Sequence, residues 1–311
     1  MGFPEWVAAG IHSLDEHWNG KGYPDGLRGN EIPLFSRIML LSQTLEVFLV
    51  HRGPDASIGV ARHRSGRWFD PDLVNAAESL AKTGALWQDL DSERLLNDVI
   101  AMEPEERRLT ADEGTLDKIC FAFAEVIDAK SPFTYRHSNG VADAAVQIAR
   151  QLNLNETDVT FIRRASLLHD LGKLGVSNSI LEKPAKLTAD EFAVVKKHPY
   201  YSYEILRRIR GFEELSVVAG AHHERLDGTG YFQNWSGDQL SLQARIIAVA
   251  DVFDALVAKR PYRDAMPVEK ALAIIKKDTP HALDVRCYEA LETAVRKVGP
   301  PAVAPGSPLV Q

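Results

Sequence analysis

Two apolar runs that stop abruptly at metal-ligand residues constrain this chain more than any other feature. Leu167-Leu168-His169-Asp170-Leu171-Gly172-Lys173 closes one helical pattern on an imidazole and a carboxylate, and Ala221-His222-His223-Glu224 closes another on two imidazoles. Side chains of these types, presented from separate helices, can enclose a divalent cation. Five of the ten histidines (His137, His169, His198, His222 and His223) fall between residues 137 and 223, each on or at the end of an apolar-periodic segment. A helical bundle converges ligands in this way, from facing helices onto an interior point. Asp251 sits in the almost wholly apolar Ile246-Ile247-Ala248-Val249-Ala250-Asp251-Val252-Phe253-Asp254. A buried carboxylate without a partner costs several kcal/mol, so a cation is its natural companion. A lone histidine on an apolar helix is more often a hydrogen-bonded core residue than a ligand; here the conjunction of the pairs carries the metal reading. Asp254 reads equally as a partner behind the ligands or as an exposed helix charge. His281 reads as a loop residue, and Glu224 is expected to pair locally with Arg225.

The rest of the chain is helix and turn. Leu34, Ile38, Leu41, Leu45 and Phe48 recur at spacings of three and four, giving one apolar face until Gly53-Pro54 stops the run. Further helices are expected over 55–63, 71–82 and 91–101, then over 112–130, 134–152, 156–169, 188–210, 213–223, 243–258, 267–277 and 284–297. No alternating strand run of useful length occurs, so the fold class is all-α. The charged stretch from Glu103 to Arg108, followed by the cap-like Thr110-Ala111-Asp112-Glu113, divides the chain near residue 109. The expected domains are 1–109, 110–298 and a flexible tail, 299–311, rich in proline.

Composition excludes several classes. A net charge of −7 argues against general binding to nucleic-acid backbone. The two cysteines, Cys120 and Cys287, lie in apolar helical patterns and read as reduced core residues of a cytoplasmic protein. No basic leader or run of about 18 uninterrupted apolar residues is present, so no membrane span is expected.

Residues 12 to 48 look like a worn copy of residues 220 to 256. At a constant offset of 208, Glu16 falls on Glu224, Gly20 on Gly228, Gly22-Tyr23 on Gly230-Tyr231, Gly29 on Gly237 and Arg37-Ile38 on Arg245-Ile246. The chemistry differs: Leu14-Asp15 stand in place of His222-His223, Asn19 in place of Asp227 and Gln43 in place of Asp251. The first copy lacks the ligands. His12, His17, His51 and His63, in the same half, have no ligand spacing and read as surface or structural residues.

His169-Asp170-Leu171-Gly172-Lys173 resembles the HDxGK signature of HD-superfamily phosphohydrolases. His222-His223-Glu224-Arg225-Leu226-Asp227-Gly228-Thr229-Gly230-Tyr231 resembles the HHERxDGxGYP signature of the HD-GYP subfamily. The resemblance covers about 117 to 292 and implies an all-α HD-domain bundle, preceded here by a degenerate partial repeat. It implies a cyclic di-GMP phosphodiesterase yielding the linear dinucleotide and then GMP. Position by position, it implies that His137, His169, Asp170 and Asp251 surround one metal, with Asp170 bridging to a second held by His198, His222 and His223. Iron or manganese would be the metal. Lys173 would lie beside the phosphate, and Tyr231, Arg260 and Arg263 would contact substrate phosphates.

Two departures from the family pattern matter. Phe133 stands where trinuclear members carry a glutamate ligand, so two metals are expected. Phe232 replaces the proline of GYP, which removes a φ restraint and with it the basis for expecting GGDEF domains to dock on this loop. The chain begins just upstream of the first-copy loop, so an N-terminal segment is expected to be missing or the gene shortened. The decayed half reads as a regulatory or dimerisation unit. Two alternatives stay open: an HD phosphohydrolase for another phosphate ester, and a non-catalytic signalling module.

Overall fold

Side-chain caps set where the helices of the larger part of the chain begin. Asp112 accepts the amide of Thr115 (2.7 Å) at the start of α6 (Glu113–Ala129), and Asn155 accepts that of Asp158 (2.9 Å) at the start of α8 (Glu156–Leu168). Thr188 and Glu191 close a reciprocal box at α10 (Ala189–Val195), and Ser241 caps α13 (Leu242–Val257). Each satisfies amides that the first helical turn leaves without an intrahelical acceptor. The computed structural model describes residues 4–88, 90, 92, 94–102, 111–131, 136–258 and 265–298. The chain forms two compact units, 2–110 and 111–311. Among the described residues there is no strand, only isolated bridges such as Asn19 with Arg28 and Asp227 with Ser236, so the fold is all-α.

In the first unit, α1 (Glu5–His12), α2 (Leu34–Arg52), α3 (Pro54–Arg64), α4 (Pro71–Lys82) and α5 (Leu95–Ala101) follow one another. A small core of Leu41, Leu45, Ala61, Phe69, Val74 and Ala77 joins α2, α3 and α4. The Ser57 hydroxyl donates to the Leu45 carbonyl (2.6 Å), tying α3 to α2. By length and mean hydropathy (1.2) α2 is long and apolar enough to cross a membrane, and it places Leu41 and Leu45 in this core.

In the second unit, α7 (His137–Gln151) is flanked by α8, α13 and α15 (Val285–Val298). Its buried face is made of Val141, Ala142, Ala144, Ala145, Ile148 and Ala149, and the alanines let neighbouring helices approach closely. The remaining helices are α9 (Asn178–Leu181), α11 (His198–Leu206), α12 (Glu213–Gly220) and α14 (Val268–Asp278).

Three expected helices differ from the observed ones: that expected over 91–101 begins only at Leu95, and two others break or stop short. The run 188–210 breaks at Lys196-Lys197 into α10 and α11. Pro199 has no amide hydrogen to donate, so it is accommodated in a first turn rather than in a helix interior. The run 213–223 ends at Gly220, leaving His222 and His223 in the turn that follows. The helix α1 was not expected, although Pro4-Glu5 ahead of Trp6 and Val7 is a start signal.

Candidate metal centre

His169 and Asp170 stand where α8 ends and the chain tightens into a single 3₁₀ turn, Leu171–Gly175. Ser202 of α11 locks that turn: its hydroxyl donates to the His169 carbonyl (2.7 Å) and accepts the Gly172 amide (2.8 Å). His198 opens α11, His222 and His223 follow α12, His137 opens α7, and Asp251 projects from the middle of α13. Five elements therefore deliver the seven side chains named by the sequence to one buried place. His169 is fully buried, and His137, Asp170, His198, His222 and Asp251 are each less than one-tenth exposed.

The hydrogen bonds fix which ring nitrogen faces inward. Nδ1 of His169 donates to the Ser166 carbonyl (2.6 Å), that of His198 to Val195 (2.7 Å), and that of His222 to Ala219 (2.6 Å). A carbonyl only accepts, so each Nδ1 carries the proton and each Nε2 presents a lone pair. The Nε2 atoms of His198 and His222 then face each other at 3.1 Å. Asp170 stands between two groups: Oδ1 lies 3.2 Å from His198 Nε2 and 3.7 Å from His222 Nε2, while Oδ2 lies 3.5 Å from His169 Nε2 and 3.7 Å from His137 Nε2. Asp251 Oδ1 lies 3.1 Å from His137 Nε2.

This donor set fits divalent cations. His198, His222 and His223 form one cluster of mutually close ligand atoms; His137, His169 and Asp251 form another; His169, Asp170 and His222 connect them. His169 Nε2 and Asp170 Oδ1 are buried with no hydrogen-bond partner. Acceptors facing acceptors in a dry interior are what a cation relieves.

The charge states agree. Burial pushes the imidazoles of His169 and His222 down, His222 far below its usual value, and His223 to about 3. Against their own burial, Asp170 is held well below the carboxylate range by Lys173 and the surrounding imidazoles, and Asp251 by His137 and His169. Neutral imidazoles and ionised carboxylates are the ligand forms metals take. His137 is the exception: burial is outweighed by Asp251 and Asp254, which raise it to about 10.

Lys173 pairs with Asp170 Oδ2 while its side chain stays 18% exposed, so the ammonium lies at the edge of the cluster. The Tyr231 ring lies against that of His223, tilted by 35° with ring centroids 4.9 Å apart. Burial pushes its phenol up, so it stays a donor. Arg260 and Arg263, and Phe133, lie outside the described residues. Glu224 does not pair with Arg225 as expected. It is buried, and its carboxylate accepts the amides of Gln233 (2.6 Å) and Trp235 (3.0 Å), pinning the loop that carries Tyr231. Arg225 instead lies 3.4 Å from Asp227, whose Oδ1 accepts from Thr229 to build the turn. Phe232, in place of the GYP proline, packs against Tyr200 and Tyr203.

A helical bundle with a His-Asp pair at its centre is the arrangement of the HD domain. The HD domain family model matches residues 1–73 and 122–286, and the chain belongs to that family. Its second signature, His222 to Tyr231, puts it with the HD-GYP proteins. It is 47% identical over 293 residues to 3'3'-cGAMP-specific phosphodiesterase 3 of Vibrio cholerae, covering 94% of this chain and 64% of that protein. It is 39% identical over 201 residues to the cyclic di-GMP phosphodiesterase response regulator RpfG of Xanthomonas campestris, covering 64% of this chain and 50% of that one. A crystal structure of a cyclic GMP-AMP specific phosphodiesterase of V. cholerae superposes with a TM-score of 0.60 at 44% identity, covering 96% of this chain and 69% of that one. The chain thus spans between half and two-thirds of the length of these two curated relatives.

Proposed function

We propose that this chain is a metal-dependent phosphodiesterase that opens a cyclic dinucleotide to its linear form. The observation that carries the reading is Asp170, buried with one oxygen turned to His198 and His222 and the other to His169 and His137. A carboxylate so placed suits two cations, iron or manganese, with His198, His222 and His223 on one side and His137, His169 and Asp251 on the other. Bound there, divalent cations supply Lewis-acid stabilisation of charge on the phosphoryl oxygens and ease deprotonation of the attacking water. Lys173 holds a phosphoryl oxygen beside the cluster, and the Tyr231 hydroxyl donates to another. The family resemblance assigns Arg260 and Arg263 to the substrate phosphates as well, for which a guanidinium supplies forked donors. The linear dinucleotide leaves or is cut again to mononucleotides.

The sequence signatures favour cyclic di-GMP as substrate. A second reading, 3'3'-cGAMP, is supported by the 47% identity to a cGAMP-specific phosphodiesterase over nearly the whole chain. We read the first unit as a degenerate HD-GYP copy with a regulatory or dimerising role.

The test is elemental analysis of anaerobically purified protein, coupled to chromatography of products from both dinucleotides with iron or manganese supplied. About two metals per chain, as in two-metal phosphodiesterases, with conversion of either dinucleotide, is expected. Metals without conversion of either would redirect the search to other phosphate esters, and no metal would favour a signalling module.

A further inference from the structure

His169, His198 and His222 share one device: each Nδ1–H is held by the backbone carbonyl three residues upstream, supplied by the turn of chain that precedes the histidine. His137 is held otherwise. It is the first residue of α7, and it follows Arg136, whose left-handed φ of 57° redirects the chain. Its Nδ1 lies 2.6 Å from Oδ2 of Asp254, which comes from α13, 117 residues away. We infer that Asp254 is the positioning residue for His137, standing in for the carbonyl that the other three histidines use and aiming Nε2 at the cluster.

Three further observations support the assignment. Asp254 lies one turn beyond Asp251 on α13, so a single helix face offers Asp251 Oδ1 to Nε2 (3.1 Å) and Asp254 Oδ2 to Nδ1 of the same ring. The Asp254 side chain is only 14% exposed, which rules out the reading of a solvated helix charge. Space for it is made by a missing atom on α7: a Cβ at Gly140 would fall 1.9 Å from Asp254 Oδ1 and 2.8 Å from its Cγ. Glycine inside a helix is unfavourable by about 0.5–1 kcal/mol relative to alanine. Here it admits the carboxylate. A carboxylate behind a histidine fixes ring orientation and raises its basicity more than a carbonyl does.

This inference rests on the metal reading above but is tested by binding, not turnover. Manganese alone is titrated into metal-stripped full chain, by equilibrium competition with a chelator, for wild type, Asp254→Ala, Asp254→Asn, Gly140→Ala and the double variant Gly140→Ala/Asp254→Ala. Asp254→Ala should weaken the affected manganese site about ten- to hundred-fold. Asp254→Asn should recover part of that loss, since its carbonyl oxygen still accepts from Nδ1–H. Gly140→Ala displaces the carboxylate without altering it and should weaken manganese comparably, yet add nothing in the Asp254→Ala background. Wild-type affinity in Asp254→Ala, or an undiminished Gly140→Ala effect in the double variant, would overturn the inference. A wild type that takes up no manganese would instead overturn the metal reading on which it rests.

Discussion

The two glycine-rich loops, one in each unit, are built around the same kinds of contact, and they differ most where chemistry is concerned. In the first, buried Glu16 accepts the amides of Asp25 (2.7 Å) and Gly26 (2.9 Å); in the second, buried Glu224 accepts those of Gln233 and Trp235. The Gly29 amide donates to the Trp18 carbonyl as Gly237 does to Leu226, both at 3.0 Å. A Cβ at Gly22 would lie 2.2 Å from the His17 nitrogen, and one at Gly230 2.4 Å from the Glu224 Cα. Arg37 reaches Asp70, the cap of α4, as Arg245 reaches Asp284 just before α15. Yet Leu14, Asp15 and Gln43 replace His222, His223 and Asp251. The lesson is that a family signature mixes two kinds of residue. Glutamate, glycine and arginine fold the loop; histidine and aspartate are the ligands of the proposed metal centre, and the first set persists where the second is gone.

The sharpest way to break this division is to remove the ligand that faces both groups. Asp170→Ala should abolish manganese binding and turnover while the helical circular dichroism stays at the wild-type level, because the Ser202 lock on the His169–Gly172 turn uses backbone atoms. Loss of the helical signal along with activity would mean that Asp170 belongs to the folding set. His222→Ala should act in the same direction.

Next in size are the two loop carboxylates. Glu224→Ala leaves two amides without acceptors, as does Glu16→Ala, and hydrogen bonds to a buried charge contribute about 1.5–3 kcal/mol each. Each substitution should therefore destabilise its own loop by about 2–4 kcal/mol, read as faster native-state hydrogen exchange at Gln233 and Trp235 in one case and at Asp25 and Gly26 in the other. Glu16→Ala should leave manganese affinity untouched. A change in metal binding there would sink the claim that the first loop is scaffold only.

The buried cysteines give a smaller, negative expectation. Burial raises Cys120 to about 11 and Cys287 to about 12, so neither presents a thiolate at neutral pH. Alkylating reagents should modify neither until denaturant is added, as intact-mass spectra would report.

How much of this was legible beforehand follows from the same division. His169, Asp170, His222, His223 and Asp251 could be named because ligand types interrupt or end apolar helices, which is visible in one dimension, whereas His137 and His198 were singled out by the clustering of histidines and by the family resemblance. The all-α class was legible from spacing. What spacing could not reveal was direction. Glu224 looked like a partner for its neighbour Arg225, whereas it turns inward to amides nine and eleven residues on. Asp254 stayed ambiguous because its partner lies 117 residues away, and only the packing of α13 on α7 brings them together. The break between α10 and α11 was signalled by Pro199, but the apolar period runs through it and overrode the signal.

The smallest effect separates the two arginines, which the repeat makes equivalent and the packing does not. Arg245 spends its guanidinium on three acceptors: Asp284 Oδ2 (3.0 Å), the Leu240 carbonyl (2.9 Å) and the Gly237 carbonyl. Arg37 reaches Asp70 (2.7 Å) and Asn30 (3.0 Å), and its Nε is buried without a partner. A lysine reproduces one such bond and not the fork. Arg245→Lys should therefore destabilise by about 1–3 kcal/mol and Arg37→Lys by about 1 kcal/mol or less, since it also removes an unsatisfied donor. The pH dependence gives a second reading of the same pair. Against its burial, Asp284 is held below its usual value by Arg245 and the amides of Cys287 and Arg286. A depressed carboxyl contributes stability above the unfolded carboxylate range and loses it as pH falls through the folded value. Arg245→Lys should accordingly move the onset of acid unfolding of the second unit to higher pH, followed by the fluorescence of Trp235, the one tryptophan beyond residue 110. If the two arginine variants were equally destabilised and the acid transition stayed in place, the fork of Arg245 would be no better fitted than the single grip of Arg37, and the first loop would be as well built as the second.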